Sequence, residues 1–124
     1  MSTRCQIGFY DRLSTDVLVP PDILLYRHSD GYPNGAHGVV ATLMPIIWDF
    51  LRKRGFWDMQ YLAAYVVAQF LGEEHLGIGI CTTTEGLHGD IEYYYAVYTD
   101  HMRVYRCEND PNYQTMTWLQ DINF

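Results

Sequence analysis

The chain has 124 residues, 48% of them hydrophobic, and a formal charge of −7 from eight Lys and Arg against fifteen Asp and Glu. That length allows one core and one domain over residues 1–124, and the apolar content excludes a disordered chain. The acidity argues against general nucleic-acid binding, which needs a basic stripe along a phosphate backbone.

The opening MSTRCQ carries no apolar leader, and no run approaches the ~20 apolar residues of a membrane helix, so a cytoplasmic protein is expected. Cys5, Cys81 and Cys107 are odd in number and lack zinc-like pairing, and they read as reduced thiols packed beside strands.

TRCQIGFY, Thr3 to Tyr10, partly alternates and reads as a first strand; DILLYRH, Asp22 to His28, reads as a second. Pro20 and Pro21 interrupt backbone pairing between them and predict an irregular connection or wide hairpin. After Gly35 the period lengthens. Val40, Leu43, Met44, Ile47, Phe50 and Leu51 recur at helical spacing, Arg52, Lys53 and Arg54 suit a helix C-terminus, and Gly55 stops it. Pro45 contradicts a regular helix, so either the helix kinks or its regular part begins near Pro45, with Thr42 as a candidate cap. A second helix follows with Asp58 as its cap and Met59, Leu62, Ala63, Val66, Val67 and Phe70 on one stripe.

GIGICT, Gly77 to Thr82, reads as a third strand, DIEYYYAVYT, Asp90 to Thr99, as a fourth, and HMRVYRC, His101 to Cys107, as a fifth joined to the fourth by a tight turn. The C-terminal extension, 108–124, carries Met116, Trp118, Leu119, Ile122 and Phe124. It reads as a short helix or an extended arm that docks on its own domain or on a partner subunit. The fold class is therefore α+β, in the order β-β-α-α-β-β-β: a mainly antiparallel sheet of about five strands with two consecutive helices on one face.

Two polar junctions concentrate the ionisable side chains. YRHSDGY ends the second strand and LHGDIEYYY opens the fourth, and each contains His-X-Asp: His28 with Asp30, and His88 with Asp90. Residues two apart share a face in an extended chain, so each junction can present imidazole and carboxylate together. If they converge, His28, Asp30, His88, Asp90 and Glu92 offer ligands for a divalent metal, or His28, Asp30, His88 and Asp90 an acid–base set for hydrolysis. As turns, the same stretches only need an Asp or Ser acceptor, a permissive Gly31 and Pro33. Arg27, Arg103 and Arg106 beside tyrosines could hold a phosphate. No phosphate loop, dinucleotide fingerprint or nucleophile elbow is present. The eleven tyrosines, four of them Tyr93, Tyr94, Tyr95 and Tyr98, predict an exposed aromatic strand face suited to binding.

Tyr26, Arg27, His28, Asp30, Gly31, Tyr32 and Pro33, followed by His88, Gly89, Asp90, Ile91, Glu92 and Tyr93, resemble a family of small proteins encoded by bacteriophages, prophages and some bacteria. The resemblance spans Arg4 to Tyr105 and carries no catalytic role for any residue. It implies a phage or mobile-element setting, in which a small acidic protein blocks a host defence by binding a protein or sequestering a nucleotide.

The function expected from these readings is non-enzymatic binding through Arg27, His28, Asp30, Tyr32, His88, Asp90, Glu92 and Tyr94. The expected partners are a second copy in a homo-oligomer, with a dimer favoured, and a host protein or small nucleotide. No cofactor is expected under this reading. A metal-dependent hydrolase and a structural accessory protein are the alternatives.

Overall fold

The computed structural model describes residues 3–11, 20–55, 57–82, 86–109 and 114–124. Its elements are β1 (Cys5–Phe9), β2 (Ile23–Arg27), α1 (Val39–Arg54), α2 (Met59–Leu71), a 3-10 turn (Glu74–Leu76), β3 (Ile78–Cys81), β4 (Tyr93–Val97), β5 (His101–Asn109) and β6 (Gln114–Asn123). The α+β order expected from periodicity is present, with one strand more. The C-terminal extension forms β6, antiparallel to β5.

The strands lie in the order β3-β2-β1-β4-β5-β6. All neighbours are antiparallel except β1 and β4, which are parallel. Parallel neighbours require a long crossover, and the stretch from β2 through both helices to β3 supplies it.

Both helices cover one face of this sheet. Cys5, Ile7, Phe9, Leu25, Tyr95, Val97, Met102 and Val104 pack there against Leu43, Met44, Ile47, Leu62, Val66 and Phe70. The reverse face carries a second cluster of Tyr10, Leu24, Ile91, Tyr94, Ala96, Tyr98, Tyr105 and Cys107.

This second cluster corrects the expectation of an exposed tyrosine face on β4. Tyr94 is 1% exposed and Tyr98 0%. The Tyr94 and Tyr10 hydroxyls lie 2.7 Å apart, and the Tyr10 and Tyr98 rings stack at 4.8 Å. Gly8 makes the room, because a Cβ at that position would overlap the Tyr94 hydroxyl. A strand between two cores buries both of its faces, so polar-tipped aromatics at β4 become interior. Burial pushes the Tyr94 and Tyr95 phenols well above their ordinary range.

Helix α1 starts earlier than Pro45 suggested. Gly38 stands at its N-cap, and the Val39 and Val40 N–H groups donate to the carbonyls of Tyr32 and Pro33 at 2.8 and 3.3 Å. Thr42 is not the cap; its hydroxyl donates to the Gly38 carbonyl at 2.8 Å. The helix runs through Pro45 because Ala41, whose carbonyl loses its donor, is exposed to water. Gly55 closes it in the left-handed region at φ 74°, and Asp58 caps α2 through the Tyr61 N–H at 3.3 Å. Among the described residues, no helix is long and apolar enough to cross a membrane.

Candidate functional site

Consecutive strand residues point to opposite faces, so Arg27 and His28 part at the end of β2. Arg27 turns towards the helices and is 1% exposed. Its Nε donates to the Ser29 carbonyl at 3.0 Å, Nη1 to Thr42 Oγ1 at 3.3 Å and Nη2 to the His37 carbonyl at 3.2 Å. The guanidinium lies 4.7 Å from the centroid of Phe70. Burial draws its pKa down, opposed by Cys5 and Asp30. A hollow of about 60 Å³ beside it is bordered by Asp30, His37, Gln69 and Glu73. The arginine expected at a binding surface is thus an interior post that ties β2 to the start of α1.

His28 points to the reverse face and meets the second junction. Arg4 Nε donates to His28 Nδ1 at 3.4 Å, and its Nη1 lies 3.5 Å from Asp90 Oδ2. The Tyr26 hydroxyl is 3.1 Å from the same His28 nitrogen, and the Tyr26 ring sits 5.1 Å from that of His88. The two His-X-Asp junctions therefore converge, but through Arg4 and Tyr26 rather than ligand to ligand. A nitrogen that accepts from arginine leaves the ring N–H on Nε2, so this contact orients the imidazole.

Asp30 leaves this corner. It adopts φ 56°, its carboxylate lies 3.2 Å from His75 Nε2, and it accepts from the Tyr32 hydroxyl at 3.4 Å. Gly31 is required for space rather than for a positive φ: a Cβ there would stand 2.8 Å from the Thr3 carbonyl oxygen and 2.9 Å from Cys5 Cβ. The Gly31 N–H donates to the Thr3 carbonyl at 2.9 Å and its carbonyl accepts from the Tyr95 hydroxyl at 2.6 Å, which clamps the turn to the entry of β1 and to β4. Glu92 borders a separate hollow with Tyr93, Arg106 and Glu108. Of the five metal-ligand candidates, His28, His88 and Asp90 share the corner, whereas Asp30 and Glu92 do not join it. Among the described residues, no group of three His, Cys, Asp or Glu is arranged to hold a metal ion.

Sequence reasoning missed a smaller constellation beside the corner. Gln6 is fully buried on β1. Its Oε1 accepts from the His88 N–H at 2.8 Å and its Nε2 donates to Cys81 Sγ at 3.3 Å. His88 Nε2 is 3.8 Å from the same sulfur. The available signal was Gln6 itself, an amide inside the otherwise apolar CQIGF.

It also missed where aromatic surface is exposed. Trp48, Tyr61 and Tyr65 on the helices are 51%, 56% and 45% exposed, and Trp118 on β6 is 58% exposed. An open groove of about 630 Å³ runs past Pro45, Ile46, Trp48, Tyr65 and Gln69, with Arg52 and Lys53 at its rim. Asp49 accepts from Arg52 at 2.6 Å and pairs with Lys53 at 3.0 Å; these bonds hold its carboxyl below the usual range. Tyr65 meets Phe50 edge-on at 5.5 Å, and Arg54 lies 4.4 Å from the centroid of Tyr61. Tyr61 and Tyr65 are four apart and lie off the apolar stripe of α2, a spacing that places two aromatics on the outward face.

The chain matches no protein-family model, no curated protein and no solved structure.

Proposed function

We propose that this chain is a non-enzymatic binding protein of a phage or mobile element, and that it docks a host protein in the groove between α1 and α2. The supporting observation is the half-exposed pair Trp48 and Tyr65 lining a hollow of about 630 Å³, with exposed Tyr61 one turn from Tyr65 on α2. Trp, Tyr and Arg dominate binding energies at protein interfaces, because they bring large area at little cost in side-chain entropy. Here these residue types stand on rigid helices with their bases already packed. Arg52 and Lys53 outnumber Asp49 at the rim, so the groove is locally basic on an acidic protein. A partner segment with an apolar anchor flanked by carboxylates complements it. The phage-like junctions supply the setting and hold the sheet under the helices.

Nucleotide sequestration at Arg27 has less support. The roughly 60 Å³ beside this buried guanidinium falls far below the ~300 Å³ of a small-molecule site.

The test is a photo-crosslinking phenylalanine analogue placed at position 48 or 65 in a host cell, with position 118 on β6 as the control. One shared host protein captured from both groove positions, absent from the control and lost when Lys53→Glu is added, is the expected result. Adducts with only a second copy of this chain, or no adduct common to positions 48 and 65, would refute the docking role.

A further inference from the structure

We infer that Cys81 is a reactive thiol served by His88, and that it is the site at which a peroxide oxidises this protein. This inference is independent of the helix groove.

The three thiols occupy different environments. Cys5 is 0% exposed and Cys107 5%, and burial pushes each up to about 12. Both are neutral and shielded at neutral pH. Cys81 ends the edge strand β3 and is partly exposed.

Only the thiolate is a useful nucleophile, so reactivity requires a base for the proton and a donor for the charge that develops on sulfur. Both are in place. His88 Nε2 lies 3.8 Å from Sγ, and the Gln6 amide directs an N–H at Sγ from 3.3 Å. A single buried amide positions both reacting groups, because Gln6 Oε1 also accepts the His88 N–H at 2.8 Å. The Tyr26 ring, 5.1 Å from the imidazole, supports its plane.

Among the described residues, the charged and titratable groups of the adjoining corner are Arg4 at the entry to β1, Tyr26 and His28 at the end of β2, and Asp90 before β4. Arg4 and Asp90 are paired with each other at 3.5 Å.

In the reaction, the Sγ proton passes to His88 Nε2. The sulfur electron pair attacks one oxygen of hydrogen peroxide and the O–O bond breaks. The departing hydroxide takes the proton from His88 and leaves as water. Sulfur becomes a sulfenic acid, oxidised by two electrons, and the peroxide is reduced by two.

A free thiol with pKa near 8.5 is about 1% thiolate at about pH 6.5, so a thiol served by a base has room to react about tenfold faster there. The experiment treats the folded full-length chain with hydrogen peroxide and dimedone. In parallel it follows iodoacetamide alkylation of each cysteine by peptide mass spectrometry across pH. The expected result is a dimedone adduct on Cys81 alone and alkylation at about pH 6.5 about tenfold faster than free cysteine. With His88→Ala the Cys81 rate falls to that of free cysteine. Continued protection of Cys5 and Cys107 reports that the variant is folded. If His88→Ala unfolds, the wild-type pH profile decides alone. Cys81 reacting with the rate and pH midpoint of free cysteine, or a folded His88→Ala reacting like wild type, would overturn the inference.

Discussion

Truncating Arg27 to alanine removes a guanidinium that is 1% exposed, donates to three neutral acceptors and rests on Phe70. The Ser29 and His37 carbonyls each lose a hydrogen bond from a charged donor, a loss of about 1.5–3 kcal/mol that shrinks where, as here, the bond is only part-buried. The void left by the side chain joins the neighbouring hollow of about 60 Å³, which lets water enter and recovers part of that loss. The net expectation for Arg27→Ala is about 3 kcal/mol, from the lost hydrogen bonds and the side-chain volume removed from against Phe70. A domain of this size loses roughly 3–5 °C in Tm per kcal/mol, so the midpoint should fall by about 10–15 °C. Arg27→Met keeps the volume and removes the buried charge with its desolvation penalty, and should cost about 1–2 kcal/mol. Urea titrations followed by far-UV dichroism measure all three proteins, and an unchanged m value establishes that native stability is what moved. Arg27→Ala within about 1 kcal/mol of wild type, or less costly than Arg27→Met, would refute the description of Arg27 as an interior post.

Gly8→Ala should destabilise by about 1–3 kcal/mol, because the new methyl displaces the Tyr94 hydroxyl from Tyr10; in a Tyr94→Phe background the cost should shrink, and equal urea midpoints for Gly8→Ala and wild type would contradict this packing. Asp121 accepts from Arg103 Nε at 2.7 Å and Nη2 at 2.9 Å, and these bonds hold its carboxyl below the usual range. A folded-state pKa below the unfolded one contributes stability that is complete above the unfolded value of about 3.9 and disappears as pH falls through the folded value. Calorimetry of wild type and Asp121→Asn should therefore show a Tm gap at neutral pH that closes below about pH 4, and a gap that persists or widens in acid would count against the pairing.

Much of the candidate site was legible as residues but not as an arrangement. The His-X-Asp junctions stand out in the chain, and the structure brings His28 and Asp90 to the same arginine. Arg4 was invisible as the bridge because its position depends on β1 lying between β2 and β4. The parting of Arg27 from His28 follows from strand alternation alone, yet which of the two faces lies under helices is set by the crossover. The tyrosines misled for a related reason: a central strand with a core on each side buries Tyr94 and Tyr95 alike.

By itself the sequence determined what local periodicity and turn chemistry can carry. Helical recurrence to Gly55, the Asp58 cap, five strand segments and the β4–β5 hairpin all follow from side chains within a few residues of one another. The tertiary structure alone decided the parallel β1–β4 pair, the sixth strand, the second core and the meeting of Gln6 with Cys81 and His88, 75 and 82 residues away. Those contacts depend on strand order and register. Both are set by how the whole chain buries its apolar surface, and no window of neighbouring residues contains that information.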